Sequence, residues 1–234
     1  MKTLRIAHLY PKLLNIYGDS GNILALKRRC EWRDIKYIVN EINTGDSIEE
    51  HDIYFIGGGQ DAQQIEVAKE LQKHKEFLLQ ERDRGAIFLG ICGGYQLFGH
   101  YYQPFNGERL NGIGLLDAYT IASNNRFIGN VTIKSEIQNI ETLVGFENHS
   151  GLTYLQGETK PLGKVITGNG NNGLDGTEGA YYKNVFGTYL HGSFLPKNAH
   201  FADYLIKLAL KSSLLSLEDS IEQDVHISLV NKKY

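Results

Sequence analysis

The chain has 234 residues, of which 41% are hydrophobic, and its 24 basic and 27 acidic side chains give a formal net charge of −3. That length holds one large or two small domains, and this composition disfavours both a disordered chain and binding to nucleic acid through overall charge. Two cysteines, Cys30 and Cys92, are too few for a disulfide framework or a four-thiolate metal site, and without a signal peptide or a membrane-spanning stretch the chain is expected to be a soluble cytoplasmic protein.

The first half of the chain alternates between strand and helix patterns. Strands are predicted over 4–10, 36–42, 52–56 and 86–91, and helices over 20–33, 61–84 and 93–99. Asp19 or Ser20 is expected to cap the first helix, and Gly85 is expected to end the second. One face of the second helix is expected to carry the apolar residues Ile65, Ala68, Leu71 and Leu78. This alternation predicts a mainly parallel sheet with helices on both faces.

The second half of the chain has a different sequence pattern. Short strands joined by Asn and Gly predict antiparallel hairpins over 115–121, 126–135, 141–148 and 164–167. The polar run 168–176 is typical of a hairpin tip or a mobile loop, since no Lys-Ser/Thr pair follows it as a phosphate-binding loop needs. A last strand is predicted over 185–190 and a closing helix over 198–212. No linker or repeat divides the chain, so a single domain is predicted over 1–234.

The sharpest local feature is Gly-Ile-Cys-Gly-Gly at 90–94, between an apolar strand and a helix. It has the form of a nucleophile elbow, in which small neighbours leave room for a strained turn. A helix N-terminus is expected to favour the thiolate of Cys92, and the N–H of Gly93 would point at an oxyanion. The alternative is a buried cysteine in a glycine-rich turn.

A nucleophilic thiol needs a base within hydrogen-bond reach. His191 follows the end of a predicted buried strand, and groups at the carboxyl ends of parallel strands share one crevice, so it is the preferred partner of Cys92. His149 is the rival base. Three further histidines, His51, His74 and His226, are expected to be solvated because their neighbours are charged or polar. His8 is expected to point out of the first strand.

A second oxyanion donor is expected from the glycines that follow the predicted strand 52–56. Without side chains, the backbone of Gly58 or Gly59 could approach a ligand closely. Either N–H could complete the site with that of Gly93. The alternative is an ordinary strand-to-helix turn.

Three motifs in order, IGGG at 56–59, GICGGYQ at 90–96 and TYLHG at 188–192, resemble those of class I (triad-type) glutamine amidotransferases. The glutamate that this class places two residues after the histidine is absent, since Gly192 and Ser193 follow His191. The chain is therefore more similar to the cobyric-acid-synthase-like (CobB/CobQ-like) branch. The resemblance implies an α/β three-layer sandwich, flavodoxin-like, with a mainly parallel central sheet and antiparallel hairpins.

Longer strings make the resemblance more specific. They are LNIYGDSGN at 14–22, GFENH at 145–149 and LPKN at 195–198. These strings are similar to the glutaminase subunits of lipid II isoglutaminyl synthases. The resemblance implies a Mur-ligase-like partner, MurT, that uses ATP and magnesium to amidate the D-glutamate of lipid II to D-isoglutamine, forming a heterodimer in peptidoglycan synthesis. It implies no cofactor or metal in this chain.

The same resemblance assigns roles to individual residues. Cys92 would attack the side-chain amide of L-glutamine, and His191 would donate a proton to the departing ammonia. Gln96 would face the bound glutamine, and Arg126 would bind its carboxylate. The group that orients His191 stays open: Asp19, Glu147, a backbone carbonyl, or no essential third carboxylate.

Other functions remain compatible with the same residues. The acceptor of ammonia could be a corrinoid or another carboxylate instead of lipid II. The chain could also be a non-catalytic binding module of the same fold. A third alternative is a peptidase-like or γ-glutamyl hydrolase that uses the same cysteine and histidine.

Overall fold

The computed structural model describes residues 2–232. Met1, Lys233 and Tyr234, which the sequence assigned to the single predicted domain, lie outside the described residues, and the single domain stays a prediction. The strands are β1 (Leu4–Leu9), β2 (Tyr37–Ile42), β3 (Ile53–Ile56), β4 (Ile87–Ile91), β5 (Tyr101–Gln103), β6 (Leu110–Asn111), β7 (Ala118–Ser135), β8 (Thr142–Leu155), β9 (Gly163–Thr167), β10 (Thr177–Glu178), β11 (Ala180–Tyr182) and β12 (Val185–Thr188). The helices are α1 (Ser20–Glu31), α2 (Asp61–Lys73), α3 (Lys75–Arg84), α4 (Gly93–Phe98), α5 (Phe194–Lys197), α6 (Ala199–Leu210) and α7 (Ser220–Val230).

The first sheet has the order β11-β12-β4-β3-β1-β2. Its neighbours are parallel except for β11 against β12. Counted without β11, the order is that of flavodoxin-like folds, in which ligands bind at the carboxyl ends of the strands. The predicted α/β fold with a mainly parallel central sheet is confirmed.

Two hydrophobic cores cover the two faces of this sheet. On one face, Ile6 and Phe55 pack with residues of α1 and α6. On the other, Tyr54 and Phe88 pack with residues of α2, α3 and α4. All four residues of β3 are buried, because a central parallel strand has helices on both sides.

The second sheet has the order β10-β9-β7-β5-β6, and β8 also pairs with β7. The predicted antiparallel hairpins are confirmed, since β8 and β9 both run antiparallel to β7. The prediction of two separate strands over 115–121 and 126–135 is wrong, because β7 is one continuous strand. The pairing of β7 with β8 shifts register between Ala122 and Phe127. The polar residues between these two positions form this irregularity within one strand and do not separate two strands.

The helix predicted over 61–84 is two helices that meet at His74, whose backbone (φ −108°, ψ 4°) leaves the helical region. The break contains neither glycine nor proline, so no local pattern indicates it. Ile65 was expected to face the core but is 41% exposed. The buried stripe begins instead at Gln64 and continues through Val67 and Leu71. Gly85 ends α3 in the left-handed region (φ 95°), as predicted.

The ends of α1 and of the chain also differ from expectation. Neither Asp19 nor Ser20 caps α1 through its side chain, and Asn15 Oδ1 instead accepts a hydrogen bond from the N–H of Ser20. The predicted closing helix is followed by a further helix, α7. Buried Arg29 pairs with Asp203 of α6 and with Asp219 immediately before α7. This pairing ties the C-terminal segment to α1.

Two histidines expected to be exposed are buried. His8 is 3% exposed because β1 lies inside the sheet, and its ring packs on Phe55. His51 is also 3% exposed and contacts Asn40 Oδ1 and the carbonyl of Glu49. Within residues 2–232, no helix combines the length and the apolar character that crossing a membrane requires.

Candidate active site

Cys92 lies between the end of β4 and the start of α4. Its backbone has φ 50° and ψ −104°, a conformation that non-glycine residues rarely adopt. The strained turn predicted at this position is confirmed. Such strain persists only where the surrounding structure enforces it, and it is concentrated at functional sites.

Two of the glycines around Cys92 are sterically required. A methyl group on Gly90 would lie 2.8 Å from the ring of Phe98 and 2.9 Å from the backbone carbonyl carbon of Gly94, and one on Gly94 would lie 2.7 Å from the carbonyl oxygen of Ile56. Backbone atoms cannot move aside easily, so the elbow needs glycine at both positions. A methyl group on Gly93 would lie 2.2 Å from Gln64 Nε2, so the Gln64 side chain would have to move.

His191 reaches the same place from the neighbouring strand β12. Its N–H donates to the carbonyl of Phe146 at 2.9 Å, which joins the end of β12 to β8 of the second sheet. A methyl group on Gly58 would lie 3.2 Å from Cys92 Cβ and 3.2 Å from His191 Cε1. The structure thus brings Cys92 and His191 together across the bare backbone of Gly58.

Asp19 reaches this point from the start of α1. Its Oδ2 accepts a hydrogen bond of 2.7 Å from the N–H of Gly58. That N–H is already occupied, so the expectation that Gly58 could donate to an oxyanion is wrong for this conformation. The N–H of Gly59 is the remaining candidate, since its nitrogen lies 3.2 Å from the position that a methyl group on Gly93 would take.

The protonation of the pair follows from its surroundings. Burial raises the pKa of Cys92 to about 12, and the charge of Asp19 adds to this effect, while the N–H of Gly93 opposes it. Burial lowers the pKa of His191 to about 3. At neutral pH the resting pair is therefore a thiol beside a neutral imidazole. Burial of the thiol therefore opposes the thiolate that the helix N-terminus favours.

A cavity of about 430 Å³ opens in front of Cys92 and His191. Arg126 lines it, and its Nε donates to Asn148 Oδ1 at 2.6 Å. Gln96 also lines it, with Nε2 donating to the hydroxyl of Tyr189 and Oε1 accepting from Gln64. The structure therefore places both predicted substrate-binding residues at the cavity that holds the thiol, and their roles stay predictions.

Glu147 and His149 form a separate pair at the back of the site. Glu147 Oε2 lies 3.9 Å from Nε2 of His149, and its oxygens accept hydrogen bonds from the N–H groups of Asn169 and Gly170. The ring of His149 stacks on Tyr189 at a centroid distance of 3.6 Å. His149 lines the cavity, but Glu147 faces His149 and the polar turn, which makes it a poor candidate to orient His191.

The turn 168–176 connects antiparallel strands β9 and β10, as expected of a hairpin tip. Asn171 within it is fully buried and accepts a hydrogen bond from the hydroxyl of Tyr95. The described lining of the cavity includes none of its residues. The turn contacts the site through the hydrogen bonds that Asn169 and Gly170 donate to Glu147.

Sequence reasoning missed several residues of the cavity. Gln64, Asp61 and Tyr102 line it, although none belongs to a recognised motif. Asp61 begins α2 directly after the triple glycine, and this proximity was the available signal. Among residues 2–232, no three His, Cys, Asp or Glu side chains are grouped in a way that could hold a metal ion.

The chain was compared with known proteins. A model of the CobB/CobQ-like glutamine amidotransferase domain matches residues 5–199. The chain is 44% identical, over 95% of its length and 88% of the relative's, to the protein named lipid II isoglutaminyl synthase (glutamine-hydrolyzing) subunit GatD of Streptococcus pneumoniae. It is 46% identical to the GatD of Staphylococcus aureus, over 93% of its own length and 89% of the relative's.

The chain also has more distant similarity to a cobyric acid synthase and to a solved structure. A probable cobyric acid synthase of Methanococcus maripaludis is 35% identical, but the match covers 66% of this chain and 32% of that protein. The solved structure of PurLQS from Thermotoga maritima has a TM-score of 0.63 at 17% identity and covers 90% of this chain and 99% of that one. At that identity, the likeness concerns the fold alone.

Proposed function

This chain belongs to the CobB/CobQ-like glutamine amidotransferase family, and from this premise we propose that it is the glutaminase subunit of a lipid II isoglutaminyl synthase. One observation carries the catalytic part of the proposal. Cys92 sits on a strained elbow and lines one cavity with His191, and the two side chains meet across the bare backbone of Gly58. The greater identity and mutual coverage with the GatD proteins support lipid II over a corrinoid as the acceptor.

Hydrolysis begins with a neutral pair. The thiol of Cys92 transfers its proton to His191 as the sulfur bonds to the amide carbon of glutamine. The N–H groups of Gly93 and Gly59 hold the oxyanion that forms. His191 then gives the proton to the departing nitrogen, so ammonia leaves and a thioester remains. Water, deprotonated by His191, attacks the thioester, and glutamate is released with the thiol restored.

The ammonia would be consumed by a second subunit. We assign that role to a Mur-ligase-like MurT, which uses ATP and magnesium to activate the carboxyl group of D-glutamate in lipid II. The two subunits would form a heterodimer, and amidation to D-isoglutamine would serve peptidoglycan synthesis. Transfer within the heterodimer keeps ammonia from bulk water, where it would be protonated.

The experiment supplies glutamine labelled with ¹⁵N in its amide to the chain together with a Mur-ligase-like subunit, ATP, magnesium and lipid II. The expected result is one ¹⁵N atom in each D-isoglutamine formed, even with unlabelled ammonium in the buffer. Omission of this chain should leave amidation dependent on added ammonium. Hydrolysis of glutamine with no label in lipid II would contradict the proposed acceptor, and product formed only from the unlabelled ammonium would contradict the glutaminase role.

Arg126 is expected to bind the carboxylate of glutamine. Replacing it with glutamine removes a charge-assisted pair of about 1.5–3 kcal/mol, so KM for L-glutamine should rise about 10- to 100-fold while kcat changes little. The KM of Arg126→Lys should lie between those of the wild type and Arg126→Gln, because lysine keeps the charge but loses the bidentate geometry. Initial rates of glutamate release measure both constants.

A matched control is Arg109→Gln. The guanidinium of Arg109 stacks over Tyr101 and does not line the cavity. KM should therefore stay within about twofold of wild type, since a charge outside the cavity adds little to binding. An unchanged KM in Arg126→Gln would remove this residue from the binding site.

A further inference from the structure

The cavity at Cys92 carries two opposite formal charges. Among its described lining residues, Asp61 is the one carboxylate and Arg126 is the one guanidinium or ammonium group. The other polar lining groups are the Cys92 thiol, amides, hydroxyls, backbone and two histidines. An α-amino acid at neutral pH carries one carboxylate and one ammonium group, so its charges match those of the cavity.

Asp61 is an exposed residue that carries one hydrogen bond from a neighbouring side chain. It is the first residue of α2, and its Oδ1 accepts a hydrogen bond of 3.3 Å from the hydroxyl of Tyr102, which is 3% exposed. Burial raises the pKa of Tyr102, and the charge of Asp61 adds to that effect, so this phenol remains a donor. None of the side chains that the structure describes donates a hydrogen bond to the other carboxylate oxygen, Oδ2 of Asp61, so that oxygen is available to a ligand.

Both charges act on the reacting sulfur. The negative charge of Asp61 raises the pKa of Cys92, and the positive charge of Arg126 lowers it. The two groups therefore lie within electrostatic range of the thiol on the walls of one cavity. Glutamine needs this arrangement, because its ammonium and carboxylate share the α-carbon while its amide must reach the sulfur.

We propose that Asp61 binds the α-ammonium group of the substrate and so restricts the site to free α-amino acids. This inference rests on the proposed glutaminase function, and it adds a contact for the α-ammonium group that the mechanism above does not include. A carboxylate–ammonium contact at the mouth of the cavity would select against glutamine in which the amine is acylated. Peptide-bound glutamine, whose nitrogen is an uncharged amide, would be excluded.

The test compares L-glutamine with glutaramic acid, which has hydrogen in place of the α-ammonium. Binding is measured by calorimetry in a Cys92→Ser background, where hydrolysis does not interfere. Asp61→Asn should weaken the binding of L-glutamine about 10- to 100-fold and change that of glutaramic acid less than about threefold. Asparagine keeps an acceptor for Tyr102, so the variant is expected to fold.

Glu66→Gln serves as the control, because Glu66 lies on the same helix and does not line the cavity. Both ligands should bind to it as to the parent protein. Equal weakening of both ligands by Asp61→Asn, or weakening of neither, would overturn the proposal. Failure of the glutaminase function has a different signature: no glutamate release by the wild-type complex, while Asp61 still discriminates between the two ligands.

Discussion

Replacing Cys92 with serine is expected to reduce glutamine hydrolysis by on the order of 10⁴-fold, the scale on which catalytic nucleophiles act. The serine hydroxyl is a weaker acid than the thiol, and a single neutral imidazole cannot compensate for this at an elbow built for sulfur. The substitution removes no packing, since the side chains differ by one atom. Glutamate release in a coupled assay measures the loss.

Cys30→Ala provides the comparison for this result. Cys30 lies on α1 and is fully buried in the core, so its replacement should lower stability modestly and leave the rate per folded molecule unchanged. Thermal unfolding separates the two effects. If Cys92→Ser kept more than a tenth of the wild-type rate, the thioester mechanism would be wrong.

Replacing His191 with glutamine is expected to have the next largest effect, a loss of about 10²- to 10⁴-fold at pH 7. Because the pKa of His191 is lowered to about 3, the imidazole is neutral above that pH and accepts the thiol proton throughout the neutral range. The wild-type rate should therefore show no step from this group between pH 6 and 9. Without the imidazole, only solvent accepts the proton from a thiol whose pKa is raised to about 12, so the variant should gain activity with each unit of pH.

His149→Gln distinguishes the two candidate bases. His149 lines the cavity, but its Nδ1 contacts the carbonyl of Gly151 and its Nε2 faces Glu147. The expected loss is smaller than for His191→Gln, and the pH profile should keep the shape of the wild type. A larger loss in His149→Gln, or a wild-type pH profile in His191→Gln, would reassign the base.

Local sequence patterns predicted the parts of the site that depend on neighbouring residues. The elbow at 90–94 needs small residues within two positions of Cys92, and the end of α3 needs the positive φ of Gly85, so both left a local signal. The alternation of strands and helices predicted the mainly parallel sheet, whereas the flavodoxin-like order was implied by the family resemblance. The elbow and the end of α3 arise from steric demands that act within a few residues.

The features that the sequence did not reveal depend on distant contacts. Asp19 reaches the N–H of Gly58 in another loop, and the pKa of Cys92 rises because the assembled protein excludes water from it. His8 is buried because strands pair on both sides of β1. Asp61 belongs to the cavity because β7, far along the chain, carries Arg126 to the same opening. No local pattern records such pairings.

The central claim is that Cys92 is the nucleophile that attacks glutamine. Its most direct test is peptide mass spectrometry after incubation with 6-diazo-5-oxo-L-norleucine, a glutamine analogue whose diazo carbon alkylates a nucleophile with loss of nitrogen gas. One adduct per chain is expected, on Cys92, and Cys30 should stay unmodified. Excess L-glutamine should suppress the adduct, and His191→Gln should slow its formation. Modification of Cys30 in preference to Cys92, or labelling of Cys92 that L-glutamine does not suppress, would contradict the claim.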